Sequence, residues 1–477
     1  MEHFLVIDQG THASRCMVFD SAANIIARSE YPVTLYRQGQ HFIEQNPEKI
    51  LASIYYCIDS LQQQGKLSGI SQAALVTQRS TIIGWNKHSG KALSPAISWQ
   101  DTRASDLVES LRPFSQKIQS VTGLPLSPHY GASKMRWLID HNETCKSAYE
   151  QNELIIAPLA CYLIEQLTGL TDAVVDHVNA SRTQLLDINT LHWSDEMLEK
   201  FRLEPKCLPA LKPCLADYGQ FRHHDFSLKL VSGDQNAALF ANGIPPAGSI
   251  LVNIGSGAFA LKMTDTLEKS PALLNGLAVS SSAAKTFVQE GTVNGAGAAL
   301  AGLYDEIEEQ DLFTQLPKWI DMIEQPPVFI NSIGGLGSPW WNSTIKAHFL
   351  DNDSTCDLPE RAVAIIESIV FLLQNNIELL ADKSSRQIII SGGLSALDGL
   401  CQKLADLSGL QVKRFDNTEA SATGAAWLLA NSANWPLRQP ATSFQPEHNN
   451  SLQYRYSHFS RQLSLLTQHS EPAIQRA

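Results

Sequence analysis

Asp8, Gly10, Thr11, Ser14 and Arg15 fall within one short stretch, DQGTHASR, and together have the makings of a phosphate cradle. Gly10 lets backbone amides approach an anion with no side chain in the way, Thr11 and Ser14 add hydroxyl donors, and Arg15 adds positive charge. Asp8 could hold a magnesium ion through water. The pattern returns in ILVNIGSGAFALKMTD, where Asn253 takes the place of Asp8, Gly255 that of Gly10 and Ser256 that of Thr11. Asp265 closes this copy at the offset at which Asp20 closes the first. A single such turn also occurs in plain hairpins, but two in matched order predict a nucleotide whose phosphates lie between them.

A second set of residues suits a hydroxylated substrate. The apolar strand ending in AALVTQR delivers Arg79 and Ser80 at its carboxyl end, where ligands bind in open α/β sheets. Arg79 is read as a substrate contact or as a surface ion pair. Trp99, followed by Gln100, Asp101 and Arg103, could wall a polyhydroxy ligand, the ring covering C–H faces; the alternative is a core tryptophan. In LKLVSGDQNAALFANG, Asp234 leaves a strand beside Gly233 and starts a helix with Gln235. It could take a proton from a hydroxyl being phosphorylated and help position magnesium, cap the helix, or do both. Small residues around Gly297 would let a helix end approach a ligand, and Gly393 lies at a strand-to-helix turn that could admit an adenosine.

Elements that would position these groups follow from the pattern. FLVID and CMVFD flank the first turn as a hairpin, SAANIIARSEYPV supplies a third strand, and Asn46 caps a helix from Pro47 to Gln63. The second half repeats hairpin, helix (Arg361 to Ala381) and strand (QIIISGG), so two duplicated α/β domains facing a cleft are expected. They span 1–243 and 244–477, with the punctuation IPPAG between them. The region from Leu107 to Asp187 reads as helical, KMRWLIDH and ELIIAPLACYLIEQLTGL most clearly, with His129 and Tyr130 in the preceding loop.

Composition sets limits. A chain of 477 residues with 44% hydrophobic content can build two cores. A net charge of −12 argues against a general nucleic-acid binder, which needs a basic face. The eight cysteines form no C-x-x-C pair, which points to reduced thiols in a cytoplasmic protein and away from zinc. With no charged-then-apolar leader and no long apolar run, secretion and membrane spanning are disfavoured.

With these motifs, the chain resembles the FGGY family of carbohydrate kinases, and within it the glycerol kinase branch. DQGTHASR and GSGAF resemble its two phosphate motifs, SGDQNAALF the segment of its catalytic aspartate, and SGGLSALDGL its adenosine motif. TQRST, WQDTR, VNASRTQLLDINTLHW, GGLGSPWW and IESIVF extend the likeness over nearly the whole chain. The resemblance implies an actin-like ATPase fold of two ribonuclease-H-like domains with an interdomain cleft. It also implies transfer of the γ-phosphoryl group of ATP, with Mg2+, to a primary hydroxyl of a small polyol or ketose, and admits a homodimer or homotetramer. Asp234 then matches the catalytic base and Asp8 the magnesium-linked acid. Thr11, His12, Arg15, Gly255, Ser256, Gly297, Gly393 and Leu397 match nucleotide positions; Arg79, Ser80, Trp99, His129, Gln235 and Phe259 match substrate positions. Departures fall on the substrate side, where glycerol kinases carry an acid in place of Ser80 and a tyrosine in place of His129. On the nucleotide side, His12 replaces a small hydroxyl residue, and Leu397 and Asp398 replace amides. Losing a carboxylate should weaken the grip on glycerol, since a charged hydrogen bond is worth roughly 1.5–3 kcal/mol.

Overall fold

The computed structural model describes residues 3–267, 269–350, 356–416, 419–430, 435 and 439–469. In its first half, β1 (His3–Gln9), β2 (Ala13–Asp20) and β3 (Ile25–Pro32) form an antiparallel meander. Helix α1 (Pro47–Gln63) then leads to β4 (Ile70–Thr77), parallel to β1, and β5 (Ser227–Gly233) joins β4 in parallel, giving the order β5-β4-β1-β2-β3. Asn46 accepts the Lys49 amide at 2.8 Å and Pro47 opens α1, as expected. The sheet is buried on both faces because apolar residues run continuously along β1. Leu5 and Ile7 pack with Ile50, Ile54 and Ile58 of α1, while Phe4 and Val6 point the other way.

After β5 a short helix, α2 (Asp234–Ala238), carries the chain into the second half. There β6 (Ser249–Ile254) and β7 (Ala258–Thr264) make the second hairpin, followed by β8 (Leu274–Ser280) and β9 (Lys285–Val293). Helix α3 (Leu358–Leu380), β10 (Gln387–Ser391), α4 (Asp398–Ser408), β11 (Gln411–Arg414), α5 (Ala420–Ala430) and β12 (Thr442–Phe444) come later, and a helix over Asn450–His469 follows them. The order is β8-β9-β7-β6-β10-β11-β12, with β6, β10 and β11 parallel. The run β11-β10-β6-β7-β9 thus repeats β5-β4-β1-β2-β3, the duplication expected from the two turns.

Helix α3 begins at Asp357, whose capping box with Glu360 satisfies two backbone donors. By length and composition alone it could cross a membrane, but polar residues such as Glu367 and Gln374 interrupt it and most of it is buried in the second core. The expectation of continuous helix through 107–187 also fails. Leu154–Pro158 is a strand pairing antiparallel with Ile82–Asn86, the helix starts only at Leu159, and Val174–Asp176 is a second short strand. An unbroken apolar run gives no period to choose between strand and helix, and Pro158 disfavours helix in the residue before it.

Helix α5 returns to the first half, where Ala422, Ala425 and Ala426 pack under β1 and β4 and against α2. A Cβ at Gly424 would lie 1.9 Å from the carbonyl oxygen of Ala237, so the two helices cross with backbones in contact. Gly424→Ala must push α2 away, and thermal unfolding is expected to register a loss of about 1–3 kcal/mol, the range for overpacking.

Candidate active site

Register decides which side chains meet. Gln9 lies opposite Thr77 and Thr77 opposite Gly233, so the carboxyl ends of β1, β4 and β5 finish level. With strands roughly 4.8 Å apart, Asp8, Arg79 and Asp234 come to one edge of the first sheet. In the second sheet Asn253 lies opposite both Phe259 and Ser391, and its side chain donates to the Ser391 hydroxyl at 3.0 Å. A cavity of about 510 Å³ joins the halves, with Asp234 and Gln235 on one wall and Asn253, Phe259 and Ser391 on the other.

The first turn is closed by Gly10 N–H on the Ala13 carbonyl at 2.9 Å. The Thr11 carbonyl is held by Gln45 Nε2 at 2.7 Å and its hydroxyl accepts from Trp99 Nε1 at 3.0 Å. His12 is exposed. Arg15 pairs with Glu30 at 3.1 Å while its charge reaches Asp8. Ser14 departs from expectation: strand alternation turns it toward α1, where the Ser53 hydroxyl donates to it at 2.7 Å, so it is buried and offers nothing to an anion.

In the second turn Gly255 N–H reaches the Gly257 carbonyl at 2.8 Å. The segment around Gly297 is laced to it: Gly297 N–H donates to the Gly255 carbonyl at 2.9 Å, and Ala296 and Ala298 donate to that of Ser256 at 3.0 Å each. A Cβ at Gly297 would sit 2.8 Å from the Gly255 oxygen, so only glycine permits this approach. Strand β10 ends at Ser391, and the chain turns at Gly392, where φ of +93° and a backbone 2.5 Å from any Cβ both require glycine. Gly393 faces open space, but Leu397 is buried in the second core, so its side chain is a packing group rather than part of the cleft wall.

On the substrate side, Arg79 is no surface ion pair. It is half-buried, donates from Nη1 to Asn236 Oδ1 at 2.9 Å, and packs so closely on Gly233 that a Cβ there would lie 2.6 Å from its stem. Burial and the neighbouring Arg182 push its guanidinium down to about 10. Ser80 has φ of +63°, an uncommon conformation for serine, and its hydroxyl leans on the Arg182 carbonyl at 3.4 Å. Trp99 is 41% exposed, which excludes a core role. His129 Nδ1 is 3.1 Å from the Trp99 carbonyl. Trp99→Phe removes the bond to Thr11, and a rise of a few-fold in the Michaelis constants is expected from steady-state kinetics, as befits a lost neutral hydrogen bond.

Gly233, not Asp234, is the N-cap of α2; Asp234 opens the helix and its Oδ1 accepts the Gln235 amide at 2.6 Å. The carboxylate therefore serves the helix end and still borders the cavity. Burial raises its pKa, with Arg79 pulling the other way. Asp8 is raised to about 7, first by burial and then by the charge of Asp234. Among the described residues no cluster of three or more metal-ligating side chains exists. Asp8 and Asp234, near enough that the charge of one raises the pKa of the other, fit magnesium, which is commonly bound by one or two acids plus phosphate oxygens and water.

Sequence reasoning missed the layer behind these groups. Asn236 anchors Arg79 and donates to the Leu277 carbonyl. Arg182 and Glu290, 7% and 4% exposed, form a 2.8 Å ion pair between the halves. Arg182 stands inside the VNASRTQLLDINTLHW motif and Glu290 in a strand 108 residues on, and only tertiary structure says they meet.

A duplicated fold with a twin-turn cleft and an acid beside it defines an actin-like phosphotransferase. Residues 3–232 match the N-terminal domain of the FGGY family of carbohydrate kinases, and residues 250–433 its C-terminal domain. The chain belongs to the FGGY family of carbohydrate kinases, phosphotransferases with an alcohol group as acceptor. It is 31% identical to a glycerol kinase of Cereibacter sphaeroides over 91% of both chains, and 29% identical to one of Roseobacter denitrificans over 95% of this chain and 97% of that one. Its fold is similar to that of Plasmodium falciparum glycerol kinase solved with ADP (TM-score 0.88, 22% identity, 99% of both chains). It is also similar to that of a xylulose kinase from Lactobacillus acidophilus (TM-score 0.85, 20% identity, 98% of both).

Proposed function

We propose that this protein phosphorylates a primary hydroxyl of a small polyol or ketose with ATP and Mg2+. The observation that carries the reading is Asp234, which follows the end of β5 as Arg79 follows the end of the adjoining β4, and which borders the cavity that the second hairpin also lines. Asp234 takes the proton of the attacking hydroxyl, and its burial-raised basicity suits it to that exchange. Arg79 and Gln235 hold neighbouring oxygens, while Trp99 and Phe259 cover carbon faces. The amides and hydroxyls of Thr11 and Ser256 hold phosphates, Gly255 leaves the second turn open to them, and the backbone contact at Gly297 keeps that turn narrow. Asp8 and Asp234 would hold the metal, which neutralises phosphate charge when bound. Closure of the domains, 1–243 and 244–477 in this reading, keeps water from taking the place of the acceptor. Assembly as a homodimer or homotetramer in the cytoplasm accompanies it.

The identity to curated glycerol kinases supports a second reading, that glycerol itself is the acceptor. Against it, Ser80 and His129 present no carboxylate or phenol to a three-carbon polyol. A coupled assay over glycerol, tetritols, pentitols and ketopentoses separates the two. Saturation by glycerol at micromolar to low millimolar levels identifies a glycerol kinase; preference for a longer acceptor supports the first reading. Nucleotide binding without transfer to any of them defeats both.

A further inference from the structure

We propose that Lys134 is the positioning residue of the acceptor pocket, a buried hub that holds its three wall segments together. Lys134 is fully buried, and its ammonium lies 3.2 Å from the Ser80 carbonyl, 2.8 Å from that of Ser98 and 2.8 Å from that of His129. Those carbonyls belong to three separate segments: Ser80 follows Arg79, Ser98 precedes Trp99, and His129 is itself a wall residue. An ammonium has three donors, and all three are spent here.

Ordinary helix physics does not explain a lysine at this position. Lys134 lies in the first turn of the helix Gly131–His141, where the helix dipole disfavours a cation. It forms no ion pair within 4 Å among the described residues. The helix start is pinned separately, by Gly131 and Ala132 amides donating to the Arg182 and Thr183 carbonyls at 3.2 and 2.7 Å. What the buried charge accomplishes is the joining of the carbonyls. The left-handed φ of Ser80 accompanies a carbonyl turned inward to Lys134, and His129 adds a cross-link from its ring to the Trp99 carbonyl. No atom of Lys134 need touch substrate: it sets the spacing of residues that do.

The inference rests on the acceptor lying against Arg79, Trp99 and His129, and the test separates the two claims. Lys134→Met removes all three bonds at similar length; Lys134→Gln keeps up to two donors. Steady-state kinetics with the best acceptor of the wild-type screen should give at least a tenfold rise in acceptor KM for Lys134→Met, a smaller rise for Lys134→Gln, and an ATP KM within twofold for both. A variant that melts cooperatively but keeps acceptor KM within twofold overturns the inference. So does a parallel rise of both KM values, which marks a merely structural role. If Lys134→Met does not fold, Lys134→Gln decides on the same criteria. A wild type that phosphorylates no acceptor overturns the inference along with the functional reading, whereas failure in the variants alone leaves that reading standing.

Discussion

Asp234→Asn is expected to lower kcat by about two orders of magnitude or more, the ordinary contribution of a positioned general base. The substitution keeps shape and keeps an oxygen to accept the Gln235 amide, now at 2.6 Å, so α2 should still start at the same residue. What disappears is the ability to take a proton. Affinity for a non-hydrolysable ATP analogue, measured by calorimetry, should stay within a few-fold, because the phosphate-facing amides of both turns are untouched. A loss confined to binding, with kcat unchanged at saturation, would mean that Asp234 grips a ligand and does not act on it. One secondary effect is also expected: Asp8 is raised to about 7 partly by the charge of Asp234, so removing that charge should lower it.

The second large effect concerns stability. Arg182→Met leaves the buried Glu290 without its 2.8 Å partner, and breaking a buried pair from one side typically costs about 3–5 kcal/mol. Thermal unfolding should show that loss, and Glu290→Gln introduced on top should restore part of it by removing the stranded charge. Despite its burial, Glu290 is held below the usual carboxylate range by Arg182 and then Arg79. A depressed folded-state pKa adds stability above the unfolded-state value, and that stability is lost as pH falls through the folded-state value. Wild type should therefore lose this contribution only on strong acidification, whereas Arg182→Met should lack it at neutral pH already.

Much of the architecture could be read from residues in order. The two turns, their strands, the helix opening at Asn46 and the strand delivering Asp234 each rest on local rules of turn chemistry, capping and apolar patterning, and those rules hold here. The strand Leu154–Pro158 escaped because a wholly apolar segment has no period, and the return of α5 to the first sheet escaped because nothing local says where a small-residue helix docks. Within the site, the placement of Asp8, Arg79 and Asp234 at or just beyond strand ends was legible. Ser14 and Leu397 were misjudged because motif position does not fix which way a side chain turns. Arg182, Glu290 and Lys134 were overlooked because each acts through at least one partner far away along the chain, 36 and 54 residues for Lys134 and 108 for the Arg182–Glu290 pair.

The central claim is that both hairpin turns grip one set of phosphates beside Asp234. A crystal structure with ADP, Mg2+ and the preferred acceptor tests it most directly. The account predicts the β-phosphate between residues 10–15 and 255–257, with an acceptor hydroxyl within hydrogen-bonding distance of Asp234. Phosphates bound away from either turn, or an acceptor that does not reach Asp234, would contradict it.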